Sequence, residues 1–181
     1  MIASIKRMDV VDCFADALIY STNVFLNCSG GVGSTLMSRY GEHFQEDLHN
    51  LLKDSDVKYA AQGSVYEMVS SGMPYKAIFH TVPCDGFYDT STEIVTDVLK
   101  QSLDACVRRV DISSVAISLL ASGYGKMEPD EFLRIASDVL SSDEYSSIDR
   151  ATICIYDEGL FQQASKQVTE ENLRLEDDTS I

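Results

Sequence analysis

Positive charge is scarce in this chain. Fourteen Lys and Arg stand against 29 Asp and Glu, a formal net charge of −15. Sequence-independent nucleic-acid binding relies on cations that neutralise phosphates, so direct nucleic-acid binding is not expected. Any phosphate must instead be held mainly by backbone amides. The five cysteines (Cys13, Cys28, Cys84, Cys106, Cys154) are odd in number, scattered and free of Cys-x-x-Cys spacing. Cys106 and Cys154 lie in apolar runs and read as small core hydrophobes. The three histidines, His43, His49 and His80, are not paired with cysteines at ligand spacing, so no metal site is expected. No signal peptide or membrane-length apolar run is visible, and a cytoplasmic location with no membrane contact is the expectation. At 181 residues and 45% hydrophobic, one domain with one sizeable core is the default.

The order of elements points to an α/β fold. Strand-like runs occupy 2–5, 17–22, 63–66, 77–82, 115–120 and 151–156. Helix-like runs occupy 33–40, 42–52, 92–107, 128–140 and 159–168. Such alternation predicts a sheet covered by helices on both faces. Short, continuously apolar strands fit a sheet buried on both sides. Residues 169–181 carry Glu170, Glu171, Glu176, Asp177 and Asp178 against one Arg174, and read as an acidic, disordered tail outside a domain of residues 1–168. There is no internal repeat and no dividing linker.

Two loops carry the chemistry. The first follows the strand at 17–22: Ser29-Gly30-Gly31-Val32-Gly33 opens an amphipathic helix. Glycines let backbone approach a ligand closely, and the free N–H groups of a helix start favour a phosphate. The second, Ala121-Ser122-Gly123-Tyr124-Gly125, follows the strand at 115–120. Ligands gather beyond the carboxyl ends of strands in open α/β sheets, and two small-residue loops there can clamp one diphosphate. Neither loop is followed by the Lys-Ser/Thr of a P-loop, and the dinucleotide spacing Gly-x-Gly-x-x-Gly fails. A nucleotide diphosphate remains; a kinase or a dehydrogenase does not.

These pieces, in this order, resemble the macro domain, the ADP-ribose-binding module, over residues 1–168. Met8-Asp9-Val10-Val11 resembles that family's Gly-Asp-Ile-Thr, and Ile19-Tyr20-Ser21-Thr22-Asn23 its Val-Asn-Ala-Ala-Asn. Ser29-Gly30-Gly31-Val32 resembles its Gly-Gly-Gly-Val, and Phe79-His80-Thr81-Val82-Pro83 its Ile-His-Thr-Val-Gly-Pro. Residues 121–125 look like its second phosphate loop, and Ile155-Tyr156-Asp157 like its last strand. The resemblance implies a single-domain three-layer α/β/α sandwich with a mixed central sheet.

It also implies roles. Asp9, with Val10 beside it, would accept a hydrogen bond from the adenine amino group, and Tyr156 would stack on adenine. Gly30, Gly31, Val32 and Gly33 would form the first phosphate loop. Ser122, Gly123, Tyr124 and Gly125 would form the second, with Tyr124 near the distal ribose. Asn23 would face the distal ribose, and in an enzyme it would be the catalytic residue that orients substrate. His80 reads as a structural histidine. Three positions depart from the pattern: Tyr20, Ser29, and Gly33, where a branch that removes ADP-ribose from proteins carries an aspartate. Asp85 and Glu42 are the acidic neighbours that could substitute for it.

The implied function is binding of ADP-ribose or a derivative, free or attached to a macromolecule such as an ADP-ribosylated protein, with no cofactor. The alternative is an ADP-ribosyl hydrolase or an O-acetyl-ADP-ribose deacetylase acting at the distal ribose. A third class is an interaction protein whose acidic tail binds a basic partner. Oligomeric state is not legible.

Overall fold

The computed structural model describes residues 1–69 and 72–178. Twelve elements run β1 (Ile2–Arg7), β2 (Ala17–Ser21), α1 (Gly31–Tyr40), α2 (His43–Asp54), β3 (Val65–Met68), β4 (Ala77–Thr81), α3 (Thr92–Val107), β5 (Ser114–Ser118), α4 (Pro129–Leu140), β6 (Arg150–Ile155), α5 (Glu158–Glu170) and β7 (Glu176–Asp178). Single 3-10 turns at Val10–Asp12 and Asp143–Tyr145 complete the chain. The sheet order is β3-β4-β2-β5-β6-β1-β7. Every pairing is parallel except β3 against β4, so the sheet is mixed, as expected.

Alternate strand residues serve two cores. Ala17, Ile19, Phe79, Ile117 and Ile153 pack with Val95, Leu99, Leu103, Phe132 and Leu133 of α3 and α4, and α5 adds Ala164 and Val168. Leu18, Tyr20, Ile78, Ala116 and Cys154 face the other way, onto Leu36, Phe44, Leu48 and Leu52 of α1 and α2. The result is a three-layer α/β/α sandwich. Helix starts follow local chemistry: Ser91 accepts a hydrogen bond from the Ile94 amide at 3.4 Å, Pro129 opens α4, and Asp157 accepts from the Leu160 amide at 2.8 Å.

The expected disordered tail is corrected in part. Thr169 and Glu170 finish α5, and Glu176–Asp178 runs parallel to β1, with Ser4 opposite Glu176. Leu175 is buried, Arg134 grips the Glu171 carboxylate through two bonds of 2.7 Å, and the Arg174 amide donates to Ser137 Oγ at 2.8 Å. Strand pairing uses backbone groups alone, so an acidic sequence can supply an edge strand, where charge also discourages further pairing. Residues 179–181 of that segment lie outside the described residues.

One carboxylate ties three strand starts together. Asp16 Oδ2 accepts from the Ser113 and Ser114 amides at 2.9 and 3.1 Å and from both of their hydroxyls at 3.1 Å. Its Oδ1 meets Lys76 Nζ at 2.6 Å, and its carbonyl accepts from the Lys76 amide at 2.7 Å. Burial alone would raise this carboxyl, but the Lys76 ammonium and the serine donors outweigh it and hold it well below the usual carboxylate range. A depressed pKa contributes stability that is present above the unfolded value of about 4 and is lost as pH falls through the folded value. Asp16→Ala should therefore lose about 2–3 kcal/mol at neutral pH. Chemical denaturation from pH 7 down to pH 2 should show the gap between wild type and variant closing at the acid end.

Candidate functional site

The parallel strands point their carboxyl ends the same way, and the turns that follow gather around one cavity of about 630 Å³. Such a volume suits a ligand of nucleotide size. Just beyond β1 stand Asp9 and Val10, and just beyond β6 stands Tyr156. The Met8 amide donates to the Ile155 carbonyl at 3.2 Å, which draws these two strand ends together. Asp9 sits at the start of the 3-10 turn, where one carboxylate oxygen accepts from the Val11 amide at 3.0 Å. Tyr156 is 79% exposed, so its ring stands free at this end of the cavity.

The two glycine loops face one another across the middle. Gly30 (φ 112) precedes α1, and the first intrahelical bond, from the Ser34 amide to the Gly30 carbonyl, is 3.3 Å. The amides of Gly31, Val32 and Gly33 in that first turn therefore have no intrahelical partner. A β-carbon on Gly30 would lie 2.6 Å from the Tyr124 hydroxyl, so the tyrosine of the second loop lies over the first. Ser21 Oγ accepts from the Ala121 amide at 3.0 Å and anchors the second loop to the end of β2. Ala121 itself holds φ 60, and a β-carbon on Gly125 would stand 2.1 Å from the Ala121 carbonyl oxygen. Only glycine closes that turn. Ser122 and Gly123 also line the cavity between these fixed points.

Asn23 lines the cavity too, but its carboxamide is engaged within its own loop. Oδ1 accepts from the Phe25 and Asn27 amides at 3.0 and 3.2 Å, and Nδ2 donates to the Asn27 carbonyl at 2.9 Å and to Ser29 Oγ at 3.3 Å. Gln45 of α2 holds the same loop from below, accepting from the Cys28 amide at 2.7 Å and donating to the Leu26 carbonyl at 2.9 Å. Asn23 thus shapes the approach to the first glycine loop.

The departures find physical explanations. Tyr20, almost wholly buried, reaches the cavity floor, and its hydroxyl lies 2.8 Å from His80 Nδ1. Burial holds the phenol well above its ordinary value and lowers the imidazole to about 3, so both are neutral. His80 does not line the cavity; it is fully buried, and its Nε2 has no hydrogen-bond partner among the described residues. Gly33 is a packing glycine: a β-carbon there would lie 3.1 Å from the backbone of Cys28. Of the two acidic neighbours, Asp85 lines the cavity and Glu42 does not. Among the lining residues the carboxylates are Asp9, Asp85 and Asp157, with no Lys or Arg. Among the described residues, no three His, Cys, Asp or Glu side chains converge as a metal site, and no helix is long and apolar enough to cross a membrane. The sequence had singled out neither Asn27 nor Tyr88; both line the cavity, and no residue signal marked them.

An α/β sandwich with two opposed loops over the carboxyl ends of parallel strands defines the class, and the family follows from comparison. The Macro domain family model matches residues 19–136, and the chain belongs to that family. No curated protein sequence matches it. Solved structures share its fold at low identity. A macrodomain of Oceanobacillus iheyensis with MES bound is 14% identical at TM-score 0.81, covering 93% of this chain and 90% of that one. The same organism's macrodomain with ADP is 15% identical at TM-score 0.78, covering 92% and 91%. A Trypanosoma brucei macrodomain in complex with ADP-ribose is 17% identical at TM-score 0.70, covering 91% and 68%.

The Asn23 network yields a discriminating outcome. Asn23→Ala should loosen residues 23–29, because the four hydrogen bonds of its carboxamide inside that loop are lost. Hydrogen exchange at the Phe25 and Asn27 amides checks this; exchange as slow as in the wild type would show that other bonds hold the loop.

Proposed function

We propose that this chain binds ADP-ribose or a derivative of it, free or carried on a macromolecule. One observation carries the reading: every residue assigned a ligand role from sequence lines the same cavity, with Asp9 and Tyr156 at one end and Asn23 and Tyr124 toward the other. A carboxylate accepts and does not donate at neutral pH, so Asp9 suits a base that presents an amino group. Tyr156 offers an exposed ring for that base. Between the ends, the first-turn amides of α1 and the second loop suit a diphosphate. The bound ADP and ADP-ribose of the two macrodomains named above support the same ligand class.

A cavity without cations has a measurable consequence. The chain carries −15 and the ligand is an anion, so long-range repulsion opposes association and salt relieves it. Affinity for ADP-ribose should stay level or rise between about 50 and about 500 mM salt. A phosphate held by lysines would show the opposite trend. Asp9→Ala should weaken ADP-ribose by about 1–3 kcal/mol, roughly 5- to 150-fold. The inosine analogue, which lacks the amino group, should bind wild type and variant alike. Equal affinity of wild type for both bases would remove Asp9 as the discriminator.

Hydrolysis at the distal ribose, of an ADP-ribosyl or an O-acetyl-ADP-ribose bond, is the second reading. Asp85 is the observation in its favour, since it lines the cavity in company with Tyr88 and Tyr124. Against it stands Gly33, which lacks the carboxylate found in the branch that removes ADP-ribose and whose β-carbon would press on the Cys28 backbone at 3.1 Å. Release of ADP-ribose from a modified protein should accordingly be slow or absent. Rapid release by wild type that disappears in Asp85→Asn would make this chain a hydrolase with Asp85 as its base.

A further inference from the structure

Beyond the Asn23 end of the cavity, five large rings stand in solvent: Phe25 (48% exposed), Tyr59 (59%), Phe87 (80%), Tyr88 (44%) and Tyr124 (69%). They belong to neighbouring loops. Phe25 and Tyr59 meet edge to face at 5.3 Å, and the Ala60 amide donates to the Val24 carbonyl at 2.7 Å. Gln62 Nε2 then crosses from this pair to residues 83–89, donating to the Asp89 carbonyl at 2.8 Å and the Pro83 carbonyl at 3.3 Å. Tyr88 and Tyr124 lie 6.0 Å apart.

The turn at 85–89 is built rather than slack. Asp85 Oδ1 accepts from the Phe87 and Asp89 amides at 2.8 and 2.9 Å, and the Tyr88 amide donates to the Asp85 carbonyl at 3.1 Å. This holds Tyr88 at φ 65, a conformation that bulky residues rarely adopt. This strain sets the Tyr88 ring beside Tyr124 at the cavity, and backbone strain concentrates at ligand-contacting sites. Scattered exposed aromatics are ordinary, whereas a cluster at a cavity mouth marks an interaction surface.

We propose that this mouth receives a basic protein segment that carries the ADP-ribose, its Arg or Lys side chains lying on the exposed rings. The inference rests on the ADP-ribose reading of the cavity. Ring faces attract cations. The charges at the mouth balance, Asp85 and Asp89 against Lys126, which Asp89 holds, and Lys58, so it is the net charge of −15 on the whole chain that favours a cationic partner. Single-stranded nucleic acid could also stack on rings, but its binding grooves carry a positive track, which the mouth lacks.

The test titrates wild type and the double variant Tyr59→Ala/Phe87→Ala with four ligands. These are free ADP-ribose and ADP-ribose joined by a non-hydrolysable link to a basic peptide, to an acidic peptide and to a single-stranded oligonucleotide. Wild type should bind the basic adduct about tenfold more tightly than free ADP-ribose, as two exposed cation–ring contacts allow. The double variant should lose that advantage and keep its affinity for free ADP-ribose, since neither residue lines the cavity. Equal binding of all adducts, or an advantage that survives in the double variant, overturns the inference and leaves the cavity reading standing. A preference for the oligonucleotide or acidic adduct overturns the choice of a basic partner. Failure to bind free ADP-ribose overturns the cavity reading and this inference with it.

Discussion

The register of the adjacent strands β4, β2 and β5 is set where they begin, by the carboxylate of Asp16. It holds the start of β5 through four donors of Ser113 and Ser114 and the start of β4 through the Lys76 ammonium, while the Asp16 carbonyl accepts from the Lys76 amide. Ala17 is thereby fixed opposite both Ala77 and Val115. A slip of one residue would turn every core side chain of a strand to the wrong face. It would also shift the carboxyl ends, where Asn23, Asp85 and the second glycine loop begin. The cavity is therefore an outcome of a polar knot at the opposite edge of the sheet.

Precision at the carboxyl ends comes from close backbone approach. Gly125 allows its turn to fold onto the Ala121 carbonyl, Gly33 lets α1 settle against Cys28, and Gly30 leaves room for the Tyr124 ring. The two loops are joined to the sheet by Ser21 Oγ and to α2 by Gln45. Side chains that line the cavity are thus held by the same bonds that order the loops. Asp9 caps a turn while keeping a carboxylate at the cavity, and Asp157 caps α5 at its edge.

Much of this was legible because it depends on periodicity. Five helices and six strands follow from apolar spacing, since burial on two faces leaves a strong pattern. What was not legible depends on backbone pairing or on uncommon dihedrals. Acidic Glu176–Asp178 pairs with β1 through main-chain groups that its side chains do not advertise. Ala121, Tyr88 and Leu26 adopt positive φ without the glycine that normally signals it. Asn23 lines the cavity, but its four bonds inside its own loop arise from a turn that spacing cannot reveal. Gly33 shows the same limit: its neighbour is Cys28, five residues back and across a bend. Aromatics count as core in any composition reading, so the exposure of Phe25, Tyr59 and Phe87 emerged only from the fold.

The absence of cations from the cavity bears on how this family varies. An anion seat of first-turn amides, as proposed above, would reside in the part of the chain that every residue type shares. Substitution can remove a lysine but cannot remove an N–H, except through proline. Such a seat survives sequence drift for as long as the few crowding-sensitive glycines persist. The fold itself agrees with those macrodomains at TM-scores of 0.70 to 0.81 while identity falls to 14–17%.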